Sequence, residues 1–273
     1  SMRSTIATLT GAAKFEGEEK PVYIRTALND GAYWLDLCNE HWQAVKITAS
    51  GWQVINHPSV MFTRSSSMRP LPRPENGGDF SALWEVANIP EADRLDVLAW
   101  LLECWRPDTP YVVLELTGEQ GSAKTSTQEA LRDLVDPNMA NCRAAPKAVE
   151  DVWVMARNSH MVSFENLSHL SASYQDALCV LATGGGFAAR TLYTNADETV
   201  LNVKKPVVLN GIAVIVTAQD LLDRTLHIDL PTITHRIRAS ELKTRFDTEK
   251  SRIFGALLTL FSRVMKVLPT IEL

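Results

Sequence analysis

The stretch that most constrains this chain is Tyr111-Val112-Val113-Leu114-Glu115-Leu116, followed at once by Gly118-Glu119-Gln120-Gly121-Ser122-Ala123-Lys124-Thr125. A buried strand that runs into a Gly-rich turn and then a helix is the setting of a phosphate-binding loop. Glycines admit φ above zero, the turn's N–H groups form a nest at a helix N-terminus, and a lysine and a hydroxyl follow. The pattern Gly-x-x-x-x-Gly-Lys-[Ser/Thr] has Ala123 in place of its last Gly, the smallest intrusion available. Lys124 is expected to contact the β and γ phosphates of ATP, and Thr125 to hold Mg²⁺ through its hydroxyl.

This unit sits in a longer alternation. Helical spacing runs from Phe80 to Trp105 with a break at Pro90; helices are expected from Ala123 to about Val135, Lys147 to Arg157, Tyr174 to Ala182 and Ser240 to Val267. Strands are expected at His160 to Phe164, Pro206 to Asn210 and Leu226 to Leu230. The alternation predicts an α/β fold, a parallel sheet flanked by helices. Ahead of it, Val22–Arg25, Ala32–Leu37, Trp42–Val45 and Trp52–Ile55, punctuated by Asn29-Asp30-Gly31 and Ser50-Gly51, read as a small antiparallel β unit. Trp34, Trp42 and Trp52 lie on alternating patterns and are assigned to its core rather than to base stacking. Pro70, Pro72 and Pro74 make Met68 to Gly78 a linker. The expected division is therefore residues 1–67, a β unit; 68–110, linker and lead-in helices; 111–232, the nucleotide-binding core; and 233–273, C-terminal helices.

Composition narrows the class without naming a chemistry. With 45% apolar and 22% charged residues and a net charge of −5 over 273 residues, the chain is of ordinary globular type, and its bulk charge advertises no nucleic-acid or anionic-membrane surface. Cys38, Cys104, Cys142 and Cys179 are scattered and form no Cys-x-x-Cys pair, which argues for buried thiols in a reducing compartment. No apolar run reaches the ~18 residues of a membrane helix and no signal-peptide pattern opens the chain, so a cytoplasmic protein without a membrane partner is expected. Ser1-Met2 reads as a cloning remnant, and the sequence as a piece of a longer one.

Four further positions complete a nucleotide site. Met161-Val162-Ser163-Phe164 ends in Glu165-Asn166, where a carboxylate can reach Mg²⁺ through water and an amide can orient a water but cannot act as a base. A strand-end acid also serves simply to cap the next segment. Asn210 closes the strand Pro206-Val207-Val208-Leu209 and can polarise the γ-phosphate or its water; a strand-end Asn also makes turns. Arg224 precedes the last core strand, where an arginine can be offered to a neighbouring subunit's nucleotide, although Asp220 and Asp223 offer it a surface ion pair instead. Gly184-Gly185-Gly186 opens a β-hairpin with arms Phe187–Tyr193 and Val200–Lys204 and a turn at Asn195-Ala196-Asp197-Glu198.

In this order, with the wording GEQGSAKT, FENLSHLS, ATGGGFAARTLYTNADE, PVVLNGI and DLLDRTLHIDL, the chain resembles the AAA+ ATP-binding proteins of phages and mobile genetic elements. Those are similar to superfamily three helicases and minichromosome maintenance helicases. The resemblance covers about Pro21 to Ala256 and implies a P-loop NTPase that acts as a ring homo-oligomer, a hexamer, in DNA replication. It implies nucleotide binding by Gly118, Glu119, Gln120, Gly121, Ser122, Ala123, Lys124, Thr125 and Ser126. Glu165 and Asn166 would form the Walker B pair, Asn210 the sensor and Arg224 the finger. Its hairpin would track single- or double-stranded DNA; here the tip is acidic, and Arg190, Lys204 and Lys205 lie on the arms.

Two functions stand side by side at this point. One is a helicase-like motor; the other is a nucleotide-gated assembly or regulatory module with weak hydrolysis and no translocation, suggested by Ala123, Glu165-Asn166 and the acidic hairpin tip. A small-molecule kinase is weaker, because the sequence has no lid-like Arg cluster.

Overall fold

The chain opens with a helix that the sequence reading does not anticipate, α1 (Met2–Glu16), whose Met2, Ile6, Leu9 and Phe15 are all exposed. The computed structural model describes residues 2–190, 198–234 and 237–271, and their side chains except at residues 3, 186–190 and 198–202. After α1 come β1 (Val22–Tyr23), β2 (Thr26–Asn29), β3 (Ala32–Asp36), β4 (Ala44–Thr48), β5 (Gly51–Ile55) and β6 (Met61–Phe62). β2 to β5 form an antiparallel meander, while β1 and β6 pair in parallel beside it.

The tryptophans of this sheet divide. Trp34 is buried and Trp52 is half-buried, its indole N–H donating to Thr259 at 3.0 Å. Trp42 departs from the expected core role: it is 55% exposed, sits at φ 53 ahead of β4 rather than inside a strand, and lies 3.8 Å from the Arg64 guanidinium. The left-handed turn delays β4 by two residues, with the Leu37 N–H donating to the Gln43 carbonyl at 3.0 Å. The thiols also differ from expectation, because Cys104 is buried whereas Cys38, Cys142 and Cys179 are only half-buried.

The second half supplies α2 (Ser81–Val86), α3 (Arg94–Glu103), β7 (Val113–Thr117), α4 (Lys124–Val135), α5 (Val149–Asn158), β8 (Val162–Leu167) and α6 (Ala172–Thr183). The hairpin strands β9 (Gly186–Arg190) and β10 (Glu198–Asn202) follow, then β11 (Val207–Gly211), α7 (Gln219–Leu222), β12 (Thr225–Asp229) and α8 (Ala239–Val267). Of the hairpin's expected turn, Asn195-Ala196-Asp197-Glu198, the first three residues lie outside the described residues; Glu198 instead begins the second strand, which ends at Asn202 rather than Lys204. The core sheet has the order β12-β7-β11-β8, with every pairing parallel. Helices cover both faces, so β7 and β11 are buried along their whole length and mostly apolar, with Glu115 in β7 and Asn210 in β11 among the polar exceptions. α4 stops where Pro137 pushes Asp136 out of helical geometry, to φ −151 and ψ 70.

One apolar cluster joins the meander, α2, α3, α4, α8 and the inner side of the core sheet; a second fills the side covered by α5 and α6. Contrary to the expectation that no segment has the length and apolarity of a membrane helix, α8 is long and apolar enough, by length and composition, to cross a membrane. Its Phe246, Ile253, Phe254, Leu257, Leu258 and Phe261 are buried against the rest of the fold, each worth about 1.5–3 kcal/mol relative to exposure.

Where the meander meets the core sheet lies a buried polar knot. Arg25, fully buried at φ 61, donates from Nε to Asp136 Oδ1 at 2.9 Å and from its terminal nitrogens to the carbonyls of Asp36 and Arg69, each at 2.9 Å. Asp136 Oδ2 accepts the N–H groups of His160 at 2.9 Å and Met161 at 3.0 Å. His160 Nε2 faces the Cys104 carbonyl at 2.6 Å; a carbonyl only accepts, so Nε2 carries the proton.

Burial, reinforced by Lys205, pushes His160 down to about 4. A histidine kept neutral on folding loses stability below its unfolded pKa of about 6.5, because only the unfolded chain takes up the proton, and the loss continues down to the folded value. Unfolding in urea at pH 8 and pH 5 should therefore differ by about 2 kcal/mol more in the wild type than in His160→Gln. Equal pH dependence in the two would refute a neutral, buried His160.

Candidate functional site

The carboxyl ends of the four parallel strands share one edge, and the expected nucleotide residues converge there. The turn after β7 begins with Gly118 at φ 146; a Cβ there would stand 2.7 Å from the Leu230 carbonyl oxygen, so no side chain fits. Gly121 takes φ 90, and Ala123 itself is left-handed at φ 58 and ψ 29. Ala123, expected to begin the helix, thus precedes it. An L-residue in this conformation costs about 1 kcal/mol.

Lys124 is the first residue of α4 and turns back over the loop, its Nζ donating to the carbonyls of Gly118 at 2.7 Å and Glu119 at 2.8 Å. Burial lowers its pKa from the ordinary lysine value. The ammonium spans the turn's two ends, a position from which it can meet an anion seated on the loop. Thr125 Oγ1 donates to Glu165 Oε2 at 3.1 Å, so the hydroxyl and the carboxylate expected to share a metal are already adjacent. Among the described residues no three His, Cys, Asp or Glu side chains gather into a metal site, so an ion here would take its other ligands from phosphate and water.

Glu165 and Asn166 stand in a bulge. Leu209 pairs with Phe164 and Gly211 with Leu167, which leaves an extra residue on β8, and Asn166 absorbs it at φ 52. A bulge of this kind re-aims side chains. Asn210 is buried with both ends of its amide engaged: Oδ1 accepts the Asn166 N–H at 2.8 Å, and Nδ2 donates to Gln128 Oε1 at 2.6 Å. It therefore bears on the site through Asn166. Arg224 is exposed and forms no ion pair with Asp220 or Asp223. It lies at the amino end of β12, its carbonyl accepting the Val113 N–H at 2.8 Å, and so at the opposite edge of the sheet from its own loop.

Three residues important here are not identified by the sequence reading. Gln128, fully buried one turn beyond Lys124, donates to Ser163 Oγ at 2.8 Å and the Phe164 carbonyl at 3.0 Å while holding Asn210. Asn88 clamps the loop by donating to the carbonyls of Ser122 at 3.0 Å and Pro231 at 2.7 Å. Glu115, buried inside β7, accepts the N–H groups of Ile215 and Val216 at 2.6 and 2.9 Å and meets His227 Nδ1 at 3.0 Å. The spacing Lys124 to Gln128, one helical turn, is the only local signal for any of them. Beside the loop, a cavity of about 510 Å³ is walled by Gly121, Ala123, Ser126, Trp84, Ile237 and Phe246.

Of the residues expected to meet DNA, the side chain of Arg190 lies outside those described. Lys204 and Lys205 sit in the link between β10 and β11, not on a hairpin arm, and both are half-buried.

No curated protein matches the chain in sequence. Among solved structures, the C-terminal region of NrS-1 superposes with a TM-score of 0.51 at 11% identity, over 83% of this chain and 66% of that one. The JCV helicase superposes with a TM-score of 0.40 at 16% identity, over 66% of this chain and 52% of that one. This chain thus spans just under two thirds of the first and about half of the second, and at such identity the likeness to the first concerns the fold alone. A family model described as actinomycete integrative conjugative element replication protein matches residues 81–271.

Proposed function

Because the chain belongs to the family of actinomycete integrative conjugative element replication proteins, we propose that it is an AAA+ P-loop ATPase that works as a helicase-like ring in replication of such an element. The observation that carries this reading is the convergence of Lys124, Thr125 and Glu165 on one Gly-rich turn at the carboxyl edge of a parallel sheet. Ligands of open α/β sheets bind at that edge.

The residues present fit ATP with Mg²⁺. The loop from Gly118 to Thr125 supplies a nest of N–H groups, Lys124 a cation for the terminal phosphates, and Thr125 with Glu165 the oxygen ligands. The cavity between Trp84 and Phe246 takes the nucleoside; at about 510 Å³ it lies within the range of small-molecule sites. When bound, the ion would neutralise charge that builds on the phosphates. Asn166, fixed by Asn210, would orient a water by hydrogen bonding, and it cannot take that water's proton.

That last point favours a second reading, a nucleotide-gated module with slow turnover and no translocation. Single-stranded DNA separates the two, since a motor's ATP turnover rises with it and a gate's does not. The first reading is tested by calorimetry with Mg-ATP. Wild type should bind with heat, and Lys124→Ala should bind about 10- to 100-fold more weakly, the worth of a charged hydrogen bond of about 1.5–3 kcal/mol. Wild type that takes up no Mg-ATP would end both readings.

A further inference from the structure

A second cavity, of about 340 Å³, opens at the other edge of the core sheet, where β1 and β2 meet the amino ends of β7, β8 and β11. Its walls are unusual for a chain of net charge −5, because Arg157, Lys204 and Lys205 all line it. None of the three forms an ion pair with a described residue. Lys204 Nζ stands 5.8 Å from the centre of the Tyr111 ring, and Lys205 makes no side-chain hydrogen bond to a described residue although it is half-buried.

The nearby carboxylates are already committed. Asp136 is held by Arg25 at 2.9 Å and by two backbone N–H groups, and Asp108 accepts from the Tyr33 hydroxyl at 2.9 Å and lies 3.6 Å from Arg106. The other titratable groups on the wall are Tyr23, Tyr111 and His160, and His160 is neutral at pH 7. A desolvated ammonium without a partner is unfavourable, as the lowering of the Lys205 pKa to about 8 by burial reflects. Such a group is retained where an anion completes it. Apart from the hydroxyls of Tyr23 and Thr26, the rest of the lining, Val22, Ile24, Pro107, Ala156 and Val203, is apolar, which suits the carbons of a sugar better than a bare hydrated ion.

We infer that this cleft is a phosphate site that grips the sugar–phosphate backbone of a single nucleic-acid strand, with Lys205 inside and Lys204 and Arg157 at its mouth. The phosphate site stands on the cavity and its cations; the choice of a strand as its source rests on the replication reading above. The site is separate from the Gly118–Thr125 loop, being at the opposite sheet edge.

Fluorescence anisotropy with a labelled 20-residue oligothymidylate over a range of salt tests it. Lys205→Met should weaken binding about tenfold and flatten the slope of log affinity against log salt by about 0.7, the value for one lost phosphate contact on a single strand; Arg157→Met should act in the same direction. Lys205→Met should also melt no lower than wild type, because it replaces an unpaired ammonium by an apolar chain of similar length. Affinity and slope within twofold of wild type in both variants, at undiminished melting temperature, overturn the inference. Full displacement of the oligonucleotide by an equal phosphate concentration of pyrophosphate, with no dependence on strand length, overturns the strand as occupant. Mg-ATP calorimetry on the same preparations reads the nucleotide loop independently, so the two readings fail in distinguishable ways.

Discussion

Asp136→Ala is expected to cost about 3–5 kcal/mol of folding stability, the penalty for leaving one member of a buried ion pair alone. Arg25 is fully buried and would keep its charge without its counter-ion, and the N–H groups of His160 and Met161 would lose their acceptor. Against a typical total of about 5–15 kcal/mol this is a large fraction, and for a chain of this size it corresponds to a fall in Tm of about 10 °C. Burial by itself would raise the Asp136 carboxyl, but Arg25, Arg132 and His160 outweigh it and hold the group below the usual carboxylate range. Its stabilising effect is therefore present above the unfolded value of about 3.9 and lost as pH falls toward the folded one. Pairing the change with Arg25→Met should recover much of the loss, since an ion pair replaced by apolar groups is often near neutral. Thermal melts of the two variants check this. A drop under 1 °C for Asp136→Ala would show that the pair contributes little.

On the proposed ring reading, Arg224→Ala should lower ATP turnover by about a thousandfold, the lower end for loss of an arginine finger, while Mg-ATP affinity stays within about threefold. The reason is distance. Arg224 precedes Thr225, which pairs with Val113 at the start of β7, and the loop begins only after Thr117 at the strand's far end, roughly 16 Å away at 3.3 Å per residue. Arg224 therefore sits at the far edge from its own loop and forms no ion pair with a described residue. Mixing Arg224→Ala chains with Lys124→Ala chains should restore a measurable part of the activity, because some interfaces then join an intact loop to an intact arginine. Undiminished turnover in Arg224→Ala, or a mixture as inactive as its components, would remove Arg224 from the reaction.

The core sheet was legible because parallel strands buried on both faces announce themselves as apolar runs, and because the turn at Gly118 is written in residue types that few other structures require. Glu165, Asn166 and Asn210 were legible as polar residues that close apolar runs, although β8 continues past the first two to Leu167 and β11 past the third to Gly211. What the sequence did not disclose are partners far apart along the chain. Arg25 and Asp136 are 111 residues apart and Gln128 and Asn210 are 82 apart, and nothing local distinguishes a buried Gln or Arg from an exposed one. Glu115 hid for a related reason: inside an apolar run it reads as an exception, and only the N–H groups of Ile215 and Val216 explain why it can be buried. α1 carries weak periodicity and packs its apolar residues on nothing described, so there was little pattern to read. The bulge at Glu165-Asn166 was invisible because register is a property of two strands.

α4 has Lys124 at its first position and hands the chain to Asp136 at its last, a rod about 18 Å long at 1.5 Å per residue. One end touches the turn proposed to cradle triphosphate; the other is riveted through Arg25 to the amino-terminal meander. Any tilt of that rod when the turn fills or empties is therefore delivered to the meander as a whole, with no slack segment between them to absorb it.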